Sequence, residues 1–273
     1  MGVKVEDQGF RVVHCVGDAD LMIVQTAVQV ARTQDTVVVG EDTDLLVLLC
    51  HHVDLESHTV IFRSEPKKAA EHKMKVWNIQ AIKRDLGSEA CKFMLFGHAI
   101  LGCDTTSSVF GIGKGAALKL ISKNAQLQQH AAVFNDGAAT NKDIEAAGHT
   151  ALLVIYNGGQ EEDIDRLCHE RFCQKVATSS IFVHPQVLPP SASATKHHSF
   201  RAYFLVQEWL GQAGLSETNW GWHVVDGKLT PVEMDLPPAP PALLNVIQCN
   251  CKMDCTSTRC SCKKHTLQCS LAC

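Results

Sequence analysis

The 273-residue sequence holds no apolar run long enough to cross a bilayer, which takes about 20 residues. The longest such runs, for example 45–50 (LLVLLC), read instead as buried strands. Its opening, MGVKVEDQGF, lacks the apolar core of a secretory signal, so the chain is expected to stay in a reducing, intracellular compartment. An excess of one charge is lacking too: 25 Lys and Arg against 29 Asp and Glu leave a net charge of −4. That balance excludes a basic field over the whole surface, and any nucleic-acid contact has to come from a local patch. No segment repeats at a solenoid period. Neither G-x-G-x-x-G nor G-x-x-x-x-G-K-[ST] occurs, which weakens any nucleotide-loop reading of the glycine-rich 111–115 (GIGKG). What is present is 45% hydrophobic and 20% charged residues, enough for one substantial core and a small appendage.

Cysteine is abundant and unevenly placed. Of 13, six (Cys15, Cys50, Cys91, Cys103, Cys168, Cys173) are scattered through the first two-thirds and are expected to be buried free thiols. Cys168-His169 with Cys173 reads as core thiols beside a surface histidine, because 168 and 173 share a helical face poorly. The other seven crowd into the last 25 residues, where a reducing environment favours a metal over disulfides.

Between 9 and 125 the pattern alternates strand and helix: a strand at 11–16, an amphipathic helix from Asp18, a strand at 35–40, a hairpin pair at 58–64 and 73–79, and a short helix ending at Gly87. Such alternation predicts an α/β sheet with parallel strands. From 90 to 175 the pattern is helical, interrupted at Gly158-Gly159. By composition 187–199 is a linker, followed by a helix, a Trp- and Gly-rich stretch whose Trp209, Trp220 and Trp222 close a minor core, and the stiff connector 235–244. The predicted division is 1–180, 181–248 and 249–273.

Ligands of open α/β sheets gather at the carboxyl ends of strands. Asp18 and Asp20 follow the first predicted strand, Asp42 and Asp44 the second, and Asp104 precedes the glycine hairpin. Residues two apart at a strand end can aim oxygens at one region, as carboxylate-rich Mg²⁺ or Mn²⁺ sites require. Two such ions would neutralise the cluster and support phosphodiester hydrolysis. Helix capping is the plainer role for each aspartate taken alone. The hairpin reads as a helix–two-turn–helix, with 105–110 (TTSSVF) as first helix, Gly111-Ile112-Gly113 as turn and 114–123 as second helix. Its glycines and helix N-terminus suit a phosphate backbone, Ala116 and Ala117 allow close packing, and Lys114, Lys119 and Lys123 supply charge. An ordinary helical hairpin is the alternative.

The terminal thiols are Cys249, Cys251, Cys255, Cys260, Cys262, Cys269 and Cys273. So short a segment needs a staple, and zinc held by four thiolates per site is the natural one. Seven thiols are one short of two separate sites, so some must bridge or His265 must contribute. Lys252, Arg259, Lys263 and Lys264 against Asp254 make a local positive patch suited to phosphates. A zinc-stapled protein–protein module is the alternative.

Asp18-Ala19-Asp20, GEDTDLLVL at 40–48 and LGCDTTSSVFGIGKGAALKLI at 101–121 together resemble the flap-endonuclease branch of the PIN-like nucleases over roughly 9–124. That branch carries an acidic-Ala-acidic motif, a T-E-D-x-D strand end and an L-G-x-D-Y…G-I-G-x-x-x-A segment. The resemblance implies a PIN-like parallel sheet with a helical extension, with Asp18, Asp20, Asp42, Asp44 and Asp104 as metal-ligating acids. Two departures are visible: the family's first acids would precede Gly9, and Thr105 replaces its aromatic. The C-terminal thiols resemble the tesmin-type CXC domain, a zinc-bridged DNA-binding module that normally continues into a further C-x-C. Both ends of the chain are accordingly expected to be incomplete. The combined expectation is a nuclear, Mg²⁺- or Mn²⁺-dependent structure-specific nuclease brought to DNA by a zinc module. The alternative is a catalytically inactive PIN-like DNA-binding protein of transposon-derived, mobile-element-like origin.

Overall fold

The structure, a computed structural model, describes residues 6–15, 18–64, 74–159, 162–178, 183–212, 214–235, 249, 251, 255 and 260–264. The chain divides into two compact units, Met1–Val232 and Glu233–Cys273.

The first unit is α/β and mostly helical. Helix α1 (Asp20–Val30) leads into strand β1 (Thr36–Val39), helix α2 (Thr43–His52), and strands β2 (Val60–Ser64) and β3 (Lys75–Asn78). The sheet order is β1-β2-β3. β1 and β2 are parallel, pairing Val38 with Phe62, and β2 and β3 are antiparallel, pairing Phe62 with Trp77. Period-two alternation sends Val38 and Phe62 into the core and leaves Val37, Val39 and Val76 exposed on the other face. Among the described residues this is one parallel pair within a mixed sheet, not the parallel sheet expected. Residues 11–15 of the first predicted strand lie in no strand, with Phe10 and Val13 exposed, and Val16 lies outside the described residues. The hairpin pair and the helix ending at Gly87 form as expected.

The run at 45–50 is helix, not strand. Asp42 caps α2 through its side chain, and Leu45, Leu48 and Leu49 then fall on one buried stripe at helical spacing. Lys83 closes the other end, donating to the carbonyls of His51 and Val53.

The helical part continues with α3 (Ile79–Leu86), α4 (Ser88–Lys92), α5 (Met94–Leu101), α6 (Lys114–Lys123), α7 (Ala125–Phe134), α8 (Asn141–Ile155), α9 (Ile164–Thr178) and α10 (Ala192–Trp209). Every residue of α5 is buried, as a helix apolar on all sides requires. The linker expected at 187–199 is instead a short 3₁₀ turn and the start of α10, the main helix covering α5 and α8. Its polar residues are held inside by backbone carbonyls. His198 bonds the carbonyl of Ile100 at 2.8 Å, Gln207 donates to Phe134 at 2.7 Å, and Arg201 donates to Val232 at 2.6 Å. Gly148 of α8 meets Ser199 of α10 so closely that an added Cβ would lie 2.0 Å from its Oγ.

Trp209 and Trp220 belong to this main core rather than to a minor one. A hairpin of β4 (Trp222–Val225) and β5 (Lys228–Pro231) follows, turning at Asp226 and Gly227, both with positive φ. The first helix expected at 105–110 is absent; those residues form a loop. No helix among the described residues is long and apolar enough to cross a membrane. In the second unit Cys249, Cys260 and Cys262 are buried together with Cys251 and Cys255 against them, beside the short helix α11 (Ser261–Lys264).

Candidate functional site

Three segments bring the singled-out aspartates to one place. α1 packs on β1 and on α2, and Asp42 and Asp44 at the start of α2 lie near enough to Asp20 at the start of α1 to act on its charge. Asp18 and Asp20 sit at the first helix start, Asp42 and Asp44 at the second. Asp104 arrives on the loop after α5. Partial burial, then the charges of Asp18, Asp42, Asp44 and Asp104, lift Asp20 from its usual range to about 6.

Each D-x-D pair is locked by its own backbone. Asp18 Oδ1 accepts from the amide of Asp20 at 3.1 Å, and Asp42 Oδ1 from that of Asp44 at 2.9 Å. The positive dipole ends of α1 and α2 offset part of the gathered charge. The Asp104 loop is fixed from below. Thr106, buried, donates to the carbonyl of Ala99 at 2.8 Å and accepts from the amide of Cys103 at 3.1 Å. Gly102 turns the chain at φ 102°, with the backbone of Ser108 against it.

Two acidic-centre neighbours escaped the sequence reading. His98, in the middle of α5 and only 4% exposed, stacks on Trp209 with ring centroids 5.7 Å apart. Its Nε2 lies 2.6 Å from Asp44 Oδ1 and its Nδ1 3.2 Å from Lys114 Nζ. An ammonium only donates and a carboxylate only accepts, so this ring is in its Nε2–H form. A histidine inside an apolar run gives no sequence signal of such pairing. The second is Glu208 at the end of α10, held above its usual range by partial burial, Glu217 and Asp18.

In the glycine hairpin, Gly113 is the N-cap of α6, Ile112 packs on the core, and Lys114 and Lys119 are exposed. A Cβ added at Gly111, Gly113 or Gly115 would meet nothing within 4 Å, so this backbone faces open space.

The second site is the thiol cluster. Ligand atoms of Cys249, Cys251, Cys255 and Cys260 all lie within 4.8 Å of one another. Zn–S bonds of about 2.3 Å would set sulfurs about 3.8 Å apart at the corners of a tetrahedron; Cys249 and Cys255 stand 3.4 Å apart. A hydrogen bond with Cys249, burial and Cys260 push Cys251 up to about 12, so without a cation this thiol keeps its proton. Four cysteines therefore lie close enough to hold a metal ion, a set compatible with zinc. Buried Cys262 is a neighbour of the four. Cys269, Cys273, Lys252, Arg259, Asp254 and His265 lie outside the described residues, as does the side chain of Lys264; Lys263 is exposed. Among the described residues this is the group that converges at ligand distance; the five carboxylates are neighbours without doing so.

No protein family, curated protein or solved structure matches the chain. The chemistry of the two sites therefore carries the functional reading alone.

The scattered cysteines divide. Cys50 and Cys91 are buried, and burial with the nearby Cys91 pushes Cys50 up to about 12, an inert thiol. Cys15 and Cys173 are exposed, contrary to the expectation of buried thiols. Cys173 Sγ rests 3.6 Å from His169 Nε2, one turn away on the outer face of α9.

Proposed function

We propose that the chain is a nuclease dependent on Mg²⁺ or Mn²⁺, hydrolysing phosphodiesters of nuclear DNA, with the zinc-binding cysteines recruiting it to the duplex. The observation that supports this most is the field at Asp20: four other carboxylates from three separate segments act on it. Gathering five acids weakens a fold unless a cation compensates them. All their donors are hard carboxylate oxygens, the class these ions take. Bound there, the cations would activate water and stabilise the leaving oxygen.

The chain's own residues supply the rest. Asp18 and Asp42 are held by backbone amides, which presets their carboxylates. Asp104 stands on a pinned loop directly before the glycine hairpin. Glycine at 115, in the first turn of α6, serves neither a positive φ nor close packing, and glycine within a helix costs about 0.5–1 kcal/mol relative to alanine; Gly113 already serves as the N-cap. Close approach of a phosphate backbone explains Gly115, with the α6 N-terminus and Lys114 and Lys119 beside it.

The decisive assay incubates the zinc-loaded full chain with branched, flapped and linear DNA in Mg²⁺ or Mn²⁺. Cleavage that disappears in Asp42→Ala and Asp104→Ala supports the proposal, and uncut DNA under every condition sinks it. The separation of the carboxylates favours a second reading, a PIN-like DNA-binding protein without catalysis. It predicts salt-dependent DNA binding that survives Asp42→Ala and is lost when zinc is chelated.

A further inference from the structure

Four of the chain's inward histidines are bonded in two different ways. His51, His52 and His198 each bond a backbone carbonyl, those of Cys91, Trp209 and Ile100. This is how an imidazole is satisfied when it only fills space. His98 is not treated so. Both its nitrogens meet charged side chains, Asp44 on one side and Lys114 on the other. Neither partner is on its own helix: Asp44 belongs to the first turn of α2, and Lys114 begins α6 directly after the glycine turn. Trp209 lies against the ring face and fixes its plane.

We infer that His98 and Lys114 are positioning residues of the acidic centre, with His98 orienting Asp44 for a cation and Lys114 orienting His98. The inference rests on reading the five acids as a cation site. The imidazole N–H occupies Asp44 Oδ1 and leaves Oδ2 for a cation. Asp44, which can only accept, and the Lys114 ammonium, which can only donate to Nδ1, together keep the proton on Nε2. An ammonium has three donors, so one can serve His98 while two serve a phosphate. The hydrogen-bond chain Lys114–His98–Asp44 thus joins the hairpin, where a phosphate backbone would rest, to the centre that would act on it. Removing a group that orients a metal ligand weakens metal binding by about 10- to 100-fold.

The test uses the zinc-saturated full chain titrated with Mn²⁺ alone, free Mn²⁺ being counted by electron paramagnetic resonance. His98→Phe keeps the stack on Trp209 and removes both hydrogen bonds; its Mn²⁺ affinity falls by about 10-fold or more. His98→Gln offers an N–H donor and a carbonyl acceptor in one side chain, and retains most of the affinity. Two-bond ¹H–¹⁵N spectra of the wild type show His98 as the Nε2–H tautomer. Lys114→Met, a surface change that spares the core, leaves the proton on Nε2 opposite Asp44 and shifts the ¹⁵N resonance of Nδ1, which has lost its donor. Wild-type Mn²⁺ affinity in His98→Phe, or an Nδ1–H ring in the wild type, overturns the inference. A wild-type chain that binds no Mn²⁺ overturns the cation-site reading beneath it, and the tautomer spectra tell that failure from the first. They also do not depend on His98→Phe folding.

Discussion

Asp20 carries opposed demands. Its neighbours raise it to about 6, so it favours a proton that a functional centre must displace. Asp20→Asn removes the repulsion and is expected to raise the melting temperature of the metal-free protein by about 2–4 °C, the shift that about 1 kcal/mol brings in a unit of this size. On the cation-site proposal the same change is expected to abolish Mn²⁺ binding, and calorimetry with the spin-resonance titration reads both effects. The acid limb of stability follows with its sign. Burial holds His51 and His198 at about 4, below their ordinary 6.5, so the unfolded chain binds their protons first as pH falls. Their contribution is complete above pH 6.5 and is lost on descending toward 4. Asp20 runs the other way: the native state keeps a proton that the unfolded state has released, so its contribution falls as pH rises from 3.8 toward 6. Melts of Asp20→Asn between pH 4 and 6.5 are therefore expected to fall more steeply with acid than those of the wild type; an unchanged slope would remove Asp20 from the charged neighbourhood. At Gly102 any side chain meets both a positive φ and the Ser108 backbone 2.4 Å from its Cβ. Gly102→Ala is expected to cost about 2–4 kcal/mol, strain and overpacking together, seen as an earlier urea midpoint.

The crossing of α8 and α10 is the element contact most open to test. Gly148→Ala would drive its Cβ into Ser199, with Oγ at 2.0 Å and Cβ at 2.4 Å. A loss of about 2–3 kcal/mol is expected, most of it recovered in Gly148→Ala/Ser199→Gly, and denaturant melts of the pair form the cycle. Elements whose local signals agreed with their surroundings were legible in the sequence. The hairpin pair β2 and β3 is one case. Another is α3, capped by Asn78 and stopped at Gly87. α2 was misread because LLVLLC is equally apolar as a buried strand or helix, and Asp42 settles it only once recognised as the cap. The first half of α10 reads as linker because Ser191–Ser199 is polar, whereas its second half reads as helix; long-range carbonyl partners that bury His198 leave no local trace. The two D-x-D pairs are visible in the sequence because their spacing is local. Their shared field is not, and neither is His98, whose partners lie 54 and 16 residues away.

For the molecule as a whole, two units with different staples predict two different failures. The first unit buries a continuous apolar core from Val24 to Trp220. The second has cysteines where a core would be. A zinc chelator is expected to release zinc and melt the second unit, exposing its thiols to Ellman's reagent, while the near-ultraviolet dichroism of Trp209 and Trp220 persists. Loss of both signals together would mean that the first unit also depends on the metal. The position of α10 has a further consequence in time. α5 has no solvent-tolerant side, yet the helix that covers it begins 91 residues later, from Leu101 to Ala192. At roughly 5–20 residues per second, a ribosome takes about 5–20 s to deliver that cover. Through that interval the face of α5 that α10 covers stays open, which makes translation speed between these two helices a determinant of yield.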